Sequence, residues 1–378
     1  MAGLPFLAAF KKEVAKLDTV SVGIKTTEEW LSTGNYALNR ALSGDFEKGI
    51  PLGKLSLFAG PSGSGKSFIA GNITKQAQQE GYHVLYLDSE HAIDVDYLGK
   101  IGCSVDPEHL TYISVAAIED VNSTLSEFFS GYKKAFGKDN MEAQKTLIIL
   151  DSLAMLSSST EMENYDKGVI KGDQGQLAKR RKAMLRLALG QIGRLPITMV
   201  ITDHVYPQDI MMGDGAWAIT NSTKFSCSII GIVTKLKLKD EGEVVGVRMR
   251  FETYKSRFAK LGTKVELEVP YNKGMSPFTG LLELLEEMKV IAKGTQPGEK
   301  LAWVSEWTDG DGEIHRVVFK ERDLDDTIAK KLLKHPACRP MMARGAATEP
   351  TEEDLEDIVD QDEITQPKAG RKVKATKE

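Results

Sequence analysis

The chain has 378 residues, 41% hydrophobic and 27% charged, with 34 glycines and 13 prolines. These proportions exclude a collagen-like repeat, a wholly unfolded chain and a disulfide scaffold, and the length suits two or three domains around one dominant core. The net charge of −5 argues weakly against a nucleic-acid partner, but it is unevenly placed: residues 349–363 hold nine carboxylates and no Lys or Arg, and setting those nine aside leaves +4 on the rest.

In chain order, an N-terminal helix is predicted first, because Phe6, Ala9, Phe10, Val14 and Leu17 recur at three- and four-residue spacing. Lys11 and Lys12 follow the apolar start instead of preceding it, unlike a secretory leader, and no run approaches the ~20 apolar residues of a membrane helix. A soluble intracellular protein is expected. Short apolar runs at 55–59, 83–87, 147–150 and 197–202 then alternate with amphipathic stretches. That alternation predicts βαβ units and a parallel sheet. Runs at 228–239, 244–255 and 264–270 are rich in β-branched residues and follow one another directly, as antiparallel strands at a sheet edge would. Residues 281–345 read as a small mixed segment with Trp303 and Trp307, and from 346 onward composition predicts disorder. Cys103, Cys227 and Cys338 are far apart, with no CxxC pair, and are expected to be buried free thiols.

Gly60-Pro61-Ser62-Gly63-Ser64-Gly65-Lys66-Ser67 fits the phosphate-loop pattern G-x-x-x-x-G-K-[ST], between a strand-like run and a helix-like run that starts Ser67-Phe68. Glycines let backbone N–H groups close on phosphate oxygens, and the helix N-terminus adds partial positive charge. Lys66 can reach the β- and γ-phosphates, and the Ser67 hydroxyl can ligate Mg²⁺. Four apolar residues run into Asp151, which places a second metal-binding carboxylate at a strand's carboxyl end. Hydrolysis also needs a group to orient water. Glu90 lies just past another strand end, where carboxylates are common on structural grounds alone.

The segment Asp88-Ser89-Glu90-His91-Ala92-Ile93-Asp94 resembles the part of the RecA recombinases that carries their catalytic glutamate. Leu150-Asp151-Ser152-Leu153, Thr202-Asp203-His204-Val205-Tyr206, Tyr254-Lys255-Ser256-Arg257 and Ser276-Pro277-Phe278-Thr279-Gly280 also have counterparts in the RecA/Rad51 family, above all in the UvsX recombinases of T4-like bacteriophages. The resemblance spans about 35–290 and, more loosely, extends to 345. It implies a RecA-like P-loop ATPase core with a mostly parallel twisted sheet flanked by helices (35–285), an N-terminal helical polymerisation segment (1–34), a small C-terminal domain (286–345) and a disordered acidic-then-basic tail (346–378).

It further implies an ATP- and Mg²⁺-dependent recombinase that forms helical filaments on single-stranded DNA, pairs it with duplex DNA and exchanges strands. A single-strand-binding protein and a mediator or loader are implied as further partners, the cytoplasm of a phage-infected bacterium as its place, and a membrane is not. Glu90 then takes the catalytic role, and Asp94 and Tyr97 contact adenine. His204 stands where RecA has a γ-phosphate-sensing glutamine. Lys255 and Arg257 resemble basic residues that reach a neighbouring subunit's γ-phosphate, as an arginine finger does.

Two stretches without apolar periodicity, 157–175 and 206–223, resemble the family's DNA-binding loops. Ile210, Met211, Met212 and Trp217 can wedge between bases there, Gly213 allows close backbone approach, and Asn221 and Lys224 match positions near the second loop's end. A helix is predicted over 176–191 between them, with Lys179, Arg180, Arg181, Lys182 and Arg186. Lys179 and Arg186 share a face at the spacing of two phosphate-holding arginines. Tyr206 departs from the RecA pattern, which has an arginine there. Phe6-Leu7-Ala8-Ala9 fits the F-x-x-A hook of Rad51-type proteins, and the acidic tail resembles family tails that compete with DNA. Two alternatives share the core: a hexameric helicase, and a nucleotide-gated paralogue that modulates filaments.

Overall fold

A computed structural model describes residues 3–17, 29–138, 140–170, 175–205, 217, 219–271, 274–295 and 301–340. The acidic tail and its basic end fall outside them. After α1 (Gly3–Val14), a short antiparallel ribbon of β1 (Trp30–Leu31) and β2 (Ile50–Pro51) brackets α2 (Tyr36–Ser43). Next come β3 (Leu55–Gly60), α3 (Lys66–Gln79), β4 (His83–Asp88), α4 (Val95–Ile101), β5 (Leu110–Ser114) and α5 (Ile118–Phe136). They are followed by β6 (Thr146–Asp151), α6 (Ser159–Asp166), α7 (Gln176–Ile192), β7 (Ile197–His204) and α8 (Asn221–Ser226). Three long strands, β8 (Ile229–Asp240), β9 (Glu243–Ser256) and β10 (Lys264–Pro270), complete the main sheet. Beyond them lie α9 (Leu281–Glu287), β11 (Ala292–Lys293), β12 (Trp303–Thr308), β13 (Ile314–Phe319) and α10 (Asp326–Leu332), the three strands forming a small antiparallel sheet.

The main sheet has eight strands in the order β10-β9-β8-β3-β7-β6-β4-β5. From β8 to β5 neighbours run parallel, and β9 and β10 are antiparallel. This is the α/β architecture expected: β8, β9 and β10 form the antiparallel end of the sheet, and β8 joins that end to the parallel set by pairing with β3.

Successive strand residues feed two apolar layers. Phe58, Val84, Tyr86, Leu147, Ile149 and Val200 pack with α2, α3 and α9 on one face. Leu57, Leu85, Leu87, Ile148, Leu150 and Ile201 pack with α5 and α7 on the other. Strands buried on both faces appear as unbroken apolar runs, which is why β3, β4, β6 and β7 were visible in the sequence. The edge strand β5 was not, because only Leu110 of its five residues is buried.

One correction concerns 157–175, which is not irregular throughout. The Ser158 hydroxyl accepts a bond from Glu161 N and the Glu161 carboxylate accepts one from Ser158 N, a capping box that starts α6. All three cysteines are buried and free, as expected. Among the described residues no helix is long and apolar enough to cross a membrane.

Candidate functional site

β3 ends at Gly60 and α3 begins at Lys66, so the loop between them caps the sheet's carboxyl end. β8 and β9 press on it from behind. A Cβ at Gly60 would lie 2.0 Å from the Val233 carbonyl oxygen, and one at Gly65, where φ is 103°, would lie 2.3 Å from the Met249 sulfur. Neither position has room for a side chain. The Ser64 hydroxyl is buried without a protein partner, which suits a phosphate oxygen as its acceptor. Lys66 is buried and donates to the carbonyls of Gly60 (3.1 Å) and Pro61 (2.9 Å). Burial lowers its pKa, opposed by the charges of Glu90, Asp151 and Asp203. Phe68 packs against the apolar layer beneath α3 and anchors the helix.

Asp151 ends β6 and is fully buried. It accepts bonds from Tyr86 (2.9 Å), Thr202 and Ser67. Burial raises its pKa, and those bonds pull against the rise. Asp151 and Ser67 thus set two oxygen donors side by side, the donor type Mg²⁺ takes. The Asp151–Ser152 peptide bond is cis.

Glu90 is placed by the turn after β4. Asp88 accepts the backbone N–H groups of Glu90 (2.8 Å) and His91 (3.0 Å), and the Tyr112 hydroxyl holds its other oxygen at 2.8 Å. Ser89 clips the turn to β6, donating to the Ser152 carbonyl (2.6 Å) and accepting from Ser152 N (2.8 Å). His204 Nε2 lies 2.7 Å from Glu90 Oε1. Lys66 at the start of α3, Asp151 and His204 at the ends of β6 and β7, and Glu90 just past the end of β4 are therefore brought together.

Other predicted residues flank this cluster or stand apart from it. Asp94 caps α4, accepting Tyr97 N at 2.7 Å, and the Tyr97 ring packs against the core; burial raises its pKa. Lys255 pairs in register with Ile230, and Ile230 with Leu57, so Lys255 and Arg257 sit near the start of β3. Gly60 is three residues beyond Leu57, or ~10 Å along an extended strand. Lys255 donates to the Lys224 carbonyl, and burial together with Arg257 lowers its pKa.

The basic helix divides by direction. On α7, Lys179, Lys182 and Arg186 are exposed along one side. Arg180 pairs with Glu119, and Arg181 turns inward to the carbonyls of Ala154 (3.1 Å) and Leu156 (2.9 Å). Asn221 begins α8, and the Lys224 ammonium lies 5.6 Å from the centre of the Tyr254 ring. Trp217 is partly buried and packs against the apolar layer beside α5 and α7. Tyr206, Ile210, Met211, Met212 and Gly213 lie outside the described residues. Sequence reading missed Asp88, Tyr86, Thr202 and Asp203. Their one signal was position, polar groups at or within the ends of apolar strands.

Residues 7–276 match the RecA N-terminal domain family. The chain is 26% identical over 314 residues to Protein RecA of Oleidesulfovibrio alaskensis, covering 82% of this chain and 83% of that protein. It is 26% identical over 359 residues to Protein RecA of a Nocardioides species, covering 92% and 94%. Over 258 residues it is 27% identical to the Recombination and repair protein of Enterobacteria phage T4, covering 68% and 63%. With a phosphate loop joined to Asp151 and Glu90 at the carboxyl end of a parallel sheet, and the family match extending over most of its length, this chain belongs to the RecA family.

Proposed function

We propose that the protein is a DNA-dependent ATPase and recombinase that assembles on single-stranded DNA, pairs it with duplex DNA and exchanges strands. The observation that carries this reading is the convergence of Lys66, Asp151, Glu90 and His204 beside a buried, unpartnered Ser64 hydroxyl. Residues 60–67 bind the polyphosphate through backbone N–H groups and Lys66, and the α3 N-terminus favours its negative charge. Ser67 and Asp151 hold Mg²⁺, which when bound neutralises developing charge on the phosphate oxygens. Glu90 takes the proton of the attacking water. His204, bonded to Glu90, senses whether the γ-phosphate is present.

Lys255 and Arg257 belong to a neighbouring subunit's site. Their place near the start of β3, away from their own phosphate loop, supports that role. The exposed apolar residues of α1, Phe6, Leu7 and Phe10, support a contact between subunits. DNA phosphates are held by Lys179 and Arg186, with Arg180, Asn221 and Lys224 nearby, and the 206–223 segment serves as the second DNA-binding loop. ATP hydrolysis measured with and without single-stranded DNA, over a salt series, tests the proposal. DNA stimulation and a steep loss of DNA affinity with salt are expected. Hydrolysis indifferent to DNA would overturn it, and closed rings in electron micrographs would replace the filament with a helicase.

A further inference from the structure

We propose that Asp203 and Arg181 form the link through which the nucleotide site positions the DNA-facing helix α7, an inference that rests on the function proposed above. The geometry starts from two periodicities. On β7, Ile197, Met199 and Ile201 face the layer that α7 packs into, so Asp203 is the next position on that face. On α7, Met184, Leu185 and Ala188 form the buried stripe, and Arg181 precedes them at helical spacing. The α7–β7 seam is apolar along its length and ends in a carboxylate and a guanidinium.

Each partner leads to a different site. Thr202 and His204 flank Asp203 and point to the other face, where they bond Asp151 and Glu90. The charges of Arg181, His204 and Lys66 all act on Asp203, against the effect of burial. Arg181 grips the carbonyls of Ala154 and Leu156, at the root of the segment leading to α6, while its own helix presents Lys179, Lys182 and Arg186 outward. Three consecutive residues of β7 thereby bond Asp151, face α7 and its Arg181, and bond Glu90.

A charged pair here is poorly explained by stability, because an apolar pair of similar volume would extend the seam at least as well. It is better explained by competition. When a polyphosphate occupies the loop, the Lys66 ammonium, which acts on Asp203 from its place on the Gly60 and Pro61 carbonyls, turns to the phosphate oxygens and leaves Arg181 as the main cation acting on Asp203. The firmer pair fixes the Ala154–Leu156 root and the pitch of α7 against the sheet. Asp203 is thus a positioning residue, acting through Arg181.

The test uses the full chain carrying Asp203→Asn, Arg181→Gln, the double variant and Asp203→Glu, each first shown to be folded by a single cooperative thermal transition. ATP hydrolysis is read with and without single-stranded DNA. Each single variant is expected to lower the DNA-stimulated kcat about tenfold, with the DNA-free rate and the KM for ATP within about twofold of wild type. The double variant is expected to fall no further than the worse single one, because the link is already cut, and Asp203→Glu to restore part of the stimulation. Wild-type stimulation in Asp203→Asn overturns the link alone. So does a double variant that loses the product of the two single effects, or an equal loss with and without DNA. A wild-type chain that DNA does not stimulate overturns the underlying function, and the link with it.

Discussion

Glu90 is held by its backbone more than by its side chain: Asp88 and Ser89 shape the turn, and the carboxylate itself meets only His204 among the bonds described. Glu90→Gln preserves that shape and can still accept from His204. It should leave nucleotide and DNA binding intact while lowering turnover by about 10²–10⁴-fold, the usual range for a lost general base. Single-turnover hydrolysis at the wild-type rate would remove Glu90 from the mechanism. Asp203 makes a different prediction. Burial pushes its pKa up to about 6, even with Arg181, His204 and Lys66 nearby, whereas an unfolded aspartate titrates near ~4. The folded chain therefore binds this proton more tightly. The stability it lends is complete below about pH 4 and lost as pH rises through about 6. Relative to Asp203→Asn, wild-type unfolding free energy should fall by up to about 3 kcal/mol between those limits. Parallel stability curves for the two proteins would refute the shift.

At the scale of elements, the β8–β9 hairpin is pinned by Gly231. A Cβ there would fall 2.0 Å from the Phe251 ring, next to the register shift at residues 230 and 231. Gly231→Ala should cost about 1–3 kcal/mol, seen in urea unfolding as a lower midpoint with unchanged slope. An unaltered midpoint would mean that the hairpin yields freely. For α7, Lys179→Ala or Arg186→Ala should each flatten the log–log salt dependence of DNA binding by roughly one unit. An unchanged slope would take that residue off the phosphate-contacting face. The helix itself was legible in the sequence as a basic stretch between two loops, and so was the shared face of Lys179 and Arg186. That Arg180 and Arg181 turn to Glu119 and to the Ala154 and Leu156 carbonyls was not, because those partners come from distant parts of the chain. α6 went unread for a different reason: its capping box was present in the sequence, but none of its residues is buried, so no apolar stripe announced it.

At the scale of the molecule, the proposed function has a neighbouring subunit supply Lys255 and Arg257 to the site. This makes a mixing prediction. Lys66→Ala and Lys255→Ala chains should each be nearly inactive alone. Mixed in equal amounts on DNA, they should recover about a quarter of wild-type activity, because one junction in four pairs an intact phosphate loop with an intact basic strand. No recovery above the separate rates would return Lys255 to its own subunit or remove it from the site. The net charge of −5 takes on meaning at this scale too. The described residues exclude the nine carboxylates of 349–363, so the exposed basic side of α7 belongs to a body that is less acidic than the whole chain.

The amino-acid sequence by itself determined the phosphate loop, the strand-end carboxylates Asp151 and Glu90, and the parallel core. The loop, Asp151 and the core depend on short-range order, glycine spacing, an apolar run and the polar residue that ends it, and Glu90 was legible through the resemblance of the whole 88–94 segment. Tertiary structure alone decided which strand ends meet. It paired His204 with Glu90, Thr202 with Asp151, and the Asp203 face of β7 with the Arg181 stripe of α7. Strand order and register set those contacts, and they depend on residues separated by 22 to 114 positions in the chain, beyond the reach of any local pattern.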